Sequence, residues 1–189
     1  AIECGKGKYF YMYGGTIIGG TAEPQKNDKG AWTQGLGGAI CLTGKMVMNG
    51  GEIRDGKAPA KITYKNGEPV YNRGYGGNIY MYNDTKDDKA FPTNITLKGV
   101  TLEGGSCGAQ GGNVFFEGRG ALTIEDSKVD AGSARQGGNL MVYGGQGAVV
   151  KNSQITNGVA FKSGDNANGG NIYLNNKSFF NIFGGIVRN

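Results

Sequence analysis

The chain has 189 residues, 38 of them glycine and only 4 proline, with 38% apolar side chains and a formal charge of +5. That length and apolar share suffice for one packed domain, and glycine without a strict three-residue period excludes a collagen helix. Lysines alternate with aspartates rather than forming a basic block, which argues against nucleic-acid binding, and no apolar run approaches the length of a membrane span.

The first predicted element is the strand Ile-Glu-Cys at 2–4, and its pattern returns throughout the chain. GGNIYMYN, beginning at Gly76, is rewritten as GGNVFFEG, GGNLMVYG and GGNIYLNN. Ile2, Ile40, Ile79, Val114, Leu140 and Ile172 form one column, two residues before Cys4, Leu42, Met81, Phe116, Val142 and Leu174. Strand alternation puts these two columns on one face. The residues between them, Glu3, Cys41, Tyr80, Phe115, Met141 and Tyr173, then point the other way.

A second strand follows in each repeat, marked by Met12, Met48, Leu97, Ile124, Val150 and Ile182. Five residues later a third strand carries Ile17, Ile53, Leu102, Val129, Ile155 and Val187, in segments such as GEIRDGKA and SKVDAGSA. A unit of three short strands cannot bury its apolar face alone but can when units stack, with like residues about 4.8 Å apart in ladders. Asn78, Asn113, Asn139 and Asn171 stand at the corner before the opening strand, where stacked amides would satisfy groups that a turn leaves unpaired.

The expectation is an all-β solenoid of about six coils, the last incomplete, forming a single domain over 1–189 with uncapped ends. Neither end supplies a polar cap, and the first residues lack the layout of a signal peptide, so we expect a segment of a longer protein or ends that meet another chain. The wording MVMNGGEIRDGKA followed by GGNIYMYN resembles the repeats of large bacterial cell-surface proteins, including adhesins and autotransporter-type passengers. More broadly the chain is similar to the right-handed parallel β-helix proteins of the pectate-lyase-like superfamily. That resemblance implies the fold, its right-handedness and an extracellular or cell-surface location, and leaves activity open, because this coil hosts enzymes, binding domains and inert stalks alike.

Insertions break the repeat unevenly. Long loops separate Ala22 from Gly37 and Ala58 from Gly76, the first carrying Trp32 and the second Tyr64, Tyr71 and Tyr75. Both leave the same corner, so they should pile into one lobe beside the opening strands, where recognition loops on a rigid scaffold belong. Tyr80, Phe115 and Tyr173, with Tyr82 and Tyr143 one step along, form the neighbouring stripe. Such a stripe either stacks on sugar rings or buries a partner protein, or it is covered by an insertion and serves as core.

For catalysis the residues to weigh are Glu103 and Asp130, outward on adjacent third strands and close enough to raise one pKa. They would suit a polysaccharide lyase or glycoside hydrolase, or could equally take a calcium ion; no other cofactor is called for. The lyases in the resembling group carry clustered calcium-binding aspartates with a basic residue, and its polygalacturonases carry paired aspartates with a histidine. This sequence has no histidine, and neither constellation can be placed on it. Three cysteines, Cys4, Cys41 and Cys107, lack metal-ligand spacing and are expected as free thiols. The leading expectation is a non-catalytic stalk or adhesin domain binding glycan or a host or neighbour protein, with end-to-end self-association into filaments as a further alternative.

Overall fold

The computed structural model describes residues 2–82, 94–118, 120–144, 146–161 and 167–189, and the described residues are strands, turns and bends without a helix. The run DTKDDK at 84–89, whose three aspartates could attract a cation but whose spacing favours a solvated loop tip, lies outside them.

The opening strands assemble into one parallel sheet in chain order: Ile2–Cys4, Ile40–Leu42, Ile79–Tyr82, Val114–Glu117, Leu140–Tyr143 and Ile172–Asn175. Register follows the sequence columns without slippage, Ile40 pairing with Ile79, Ile79 with Val114, and Val114 with Leu140. A one-residue shift would turn every aliphatic side chain to the wrong face, so the apolar pattern itself fixes this register.

The second and third strands form two further parallel ladders. The second runs through Tyr9–Met12, Lys45–Asn49, Ile95–Lys98 and Leu122–Glu125. The third runs through Thr16–Ile18, Glu52–Arg54, Thr101–Glu103 and Lys128–Asp130. In the last two repeats the second and third strands fuse into Ala148–Thr156 and Phe180–Arg188, which join both ladders in one curled sheet.

Together the ladders enclose an apolar interior. Ile40, Leu42, Ile79, Met81, Met48, Leu97, Ile124, Ile53, Leu102 and Val129 are all fully buried in one cluster. Each such side chain contributes about 2 kcal/mol by leaving water.

Two ladders were not anticipated. Lys57–Ala58, Ser106–Cys107, Ser133–Ala134 and Val159–Ala160 pair as a short fourth sheet, with Ala58, Cys107 and Ala134 forming a separate buried cluster. The Gly-x-Ala ending is thus extended backbone in its own right, and only a small side chain suits its buried position. The return segment also pairs, Gly35–Leu36 with Gly74–Tyr75, and isolated bridges carry it on through Gln110, Gln136 and Asn168. Each repeat therefore holds more paired segments than the three expected.

The asparagine corner is buried at Asn78, Asn113 and Asn139. Asn139 accepts the Gly132 amide at 2.8 Å and the Asn113 side-chain amide at 2.7 Å, and donates to the Thr156 carbonyl and to Asn171 Oδ1, each at 2.7 Å. Each amide so links its neighbours above and below and also ties the opening corner to the end of the third strand. Beside it the backbone is packed too tightly for a side chain: a Cβ on Gly112 would overlap the Gly138 carbonyl oxygen and the Ser133 amide.

Candidate functional site

Outward-facing residues of the opening strands build the principal candidate. Tyr80 and Phe115 are Cα partners on adjacent strands, their rings 5.4 Å apart and 16° from parallel. Tyr75, delivered by the strand that closes the second insertion, lies over both, 5.2 Å from Phe115 and 6.3 Å from Tyr80. Tyr80, Phe115 and Met141 are buried in one cluster, with Tyr82, Tyr143 and Tyr173 partly buried against them. The expected stripe is thus neither bare nor fully covered: Tyr75 caps its base, and the next residues along form a wall.

That wall bounds a concavity of about 490 Å³. Tyr75, Tyr80, Tyr82, Phe115 and Tyr143 supply its aromatic lining, and Gln34, Arg73, Gln110 and Glu117 supply polar groups. Its size lies within the range of small-molecule sites, and aromatic walls with a few polar groups are their usual chemistry. Gln110 is held by donating its amide to Gln136 Oε1 at 2.6 Å.

Glu117 is the carboxylate of this wall. In register it lies between Tyr82 and Tyr143, one on each neighbouring strand. Tyr80 donates its hydroxyl to Glu117 Oε2 at 3.4 Å, a long bond that compensates burial only in part. Burial pushes the Glu117 carboxyl above the usual carboxylate value, partly opposed by that hydrogen bond. Burial, then the nearby Glu117 charge, raises the Tyr80 phenol as well, so it stays protonated.

The remaining predicted residues lie elsewhere. Trp32 is half-buried, with the Lys61 amine 4.7 Å and the Lys26 amine 5.7 Å from its ring centre. Since Lys61 belongs to the second insertion, the two insertions do meet in one lobe, and Trp32 is engaged in joining them. Tyr64 and Tyr71 sit exposed on the antiparallel hairpin of Lys61–Lys65 and Glu68–Asn72, outside the concavity.

Glu103 and Asp130 are Cα partners on adjacent third strands, as expected. Asp130, however, is committed: it accepts Lys128 and Thr156 Oγ1 at 2.8 and 2.7 Å and the Asn157 amide at 2.9 Å. Burial raises its pKa, but these bonds outweigh it and the carboxyl ends below its ordinary value, so Asp130 is not the member of the pair whose pKa is raised. Among the described residues no group of three or more His, Cys, Asp or Glu side chains gathers in a way that could hold a metal ion.

Sequence reasoning missed Glu117, Arg73, Gln34 and Gln110. Glu117 had a usable signal: it lies two residues beyond Phe115 and so shares its face. The other three are placed by insertions and bridges that no column marks. Also missed were Tyr9 and Tyr11 on the strand Tyr9–Met12 and Tyr13 just beyond it, all exposed, with neighbouring rings 5.9 and 6.4 Å apart and nearly parallel. Compared with protein-family models, curated proteins and solved structures, the chain matches none, so the functional reading rests on this concavity.

Proposed function

We propose that the chain is a right-handed parallel β-helix domain of a bacterial surface protein, acting without catalysis as a rigid stalk that binds glycan in the aromatic concavity. The parallel ladders and their unslipped register support the coil. One observation carries the binding: aromatic side chains on adjacent strands share a 490 Å³ concavity with Gln34, Gln110, Arg73 and Glu117. Sugar rings present C–H faces that stack on aromatics and hydroxyls that need such polar partners. The hydrolase alternative is weaker, because both carboxylate oxygens of Asp130 are already engaged by Lys128, Thr156 and Asn157.

A glycan array probed with the purified protein tests this reading, followed by calorimetry on any hit. Tyr75→Ala should weaken binding by about tenfold or more, roughly 1.4 kcal/mol, because Tyr75 lines the concavity and holds Tyr80 and Phe115. Trp32→Ala should leave affinity within about twofold. No binding to any glycan, or binding indifferent to Tyr75, would reduce the domain to a spacer.

A further inference from the structure

The arrangement around Glu117 narrows the ligand, given the reading of the concavity as a glycan site. We infer that the concavity selects sugars bearing a free, protonated amine, seated with the ammonium against the Glu117 carboxylate between Tyr82 and Tyr143. The parallel register puts a tyrosine on each side of the carboxylate, one strand above and one below, all three on the same face. Aromatic faces attract cations through their quadrupoles, and a half-buried carboxylate adds a full opposite charge.

Among the described residues no cation forms an ion pair with Glu117, and the hydrogen bond that it accepts from Tyr80 is long at 3.4 Å. The raised carboxyl shows the same deficit, a buried anion short of compensation. Arg73, the cation among the lining residues, is exposed, so water screens it more than the half-buried Glu117. A neutral sugar would leave the deficit in place. An ammonium group removes it, and the Gln34 amide on the lining is there for the ring hydroxyls.

The test compares a glucosamine oligomer with the N-acetylglucosamine oligomer of equal length, by calorimetry over a pH series from mildly acidic to neutral, so that the comparison includes the window in which the amine is charged and Glu117 is ionised. The free-amine oligomer should bind at least about tenfold more tightly, and Glu117→Gln should bring the two within about twofold. Thermal unfolding of Glu117→Gln, expected no lower than that of the parent, excludes misfolding. Equal affinity for both oligomers would overturn the amine selection while leaving the glycan site intact. A preference that survives Glu117→Gln would remove the carboxylate from it. Failure of both oligomers, together with an empty array, would overturn the glycan site and the selection with it.

Discussion

At Glu117 the chemistry of the site and the stability of the fold pull against each other. Because burial raises its folded pKa, the ionised carboxylate opposes folding at neutral pH, and that cost disappears on protonation. Glu117→Gln should therefore melt higher than the parent at neutral pH. The gap should shrink as pH falls through the raised folded pKa and vanish below the unfolded value of about 4.3. A melting series in pH, read by circular dichroism, checks it; a gap independent of pH would mean that the gain is not electrostatic. The cysteines are quieter. All three are free, and burial pushes Cys41 up to about 11 and Cys107 up to about 12, so neither is a nucleophile at neutral pH. Glu117 was legible in the sequence only by parity, as the residue two beyond Phe115. Its consequences were not, since they depend on Tyr75 folding back over the stripe from an insertion.

Among the elements, the asparagine corner bears the most structure per residue. Asn139→Ala would leave the buried Gly132 amide without its partner and take one hydrogen bond each from the Thr156 carbonyl, Asn113 and Asn171, breaking the ladder at its middle. Denaturant unfolding should show a loss of about 3 kcal/mol or more. Asn139→Asp should be worse at neutral pH, because an ionised carboxylate cannot donate and would face the Thr156 carbonyl and Asn171 Oδ1. A loss under about 1 kcal/mol in both would show that the ladder is dispensable. The ladder was legible because Gly-Gly-Asn recurs at a fixed offset from an aliphatic column. The fourth sheet was not, because Gly-x-Ala reads as a turn until its small residues are seen to pack on one another. The hairpin of the second insertion was equally hidden: it occurs once, so no repetition exposes it.

Across the molecule, stability is distributed from the middle outward. The strands Ile79–Tyr82, Val114–Glu117 and Leu140–Tyr143 have a paired neighbour on both sides and are buried but for their last residues. In Phe180–Arg188, by contrast, the core columns continue as Ile182 and Val187, which are 46% and 42% exposed. Hydrogen exchange should be slowest in the three middle strands and faster by orders of magnitude in 180–188 and in the hairpin of 61–72. Uniform protection would instead indicate a single cooperative unit. The broad architecture, all-β with parallel ladders, was legible because each of the three main ladders repeats a column. The concavity lies where the repeats are interrupted.

Those interruptions carry a consequence for how such a protein changes. Gly35 and Gly74 pair as equivalents although the stretches leading to them from Ala22 and Ala58 differ in length and in fold. The ladder fixes where the chain must return and places no condition on what it does in between. A detour can therefore be lengthened, shortened or exchanged without disturbing the interior, and because one detour delivers Arg73 and Tyr75 to the concavity, each exchange remakes its wall. The scaffold behaves as a socket, in which the lining is modular while the frame that presents it stays constant.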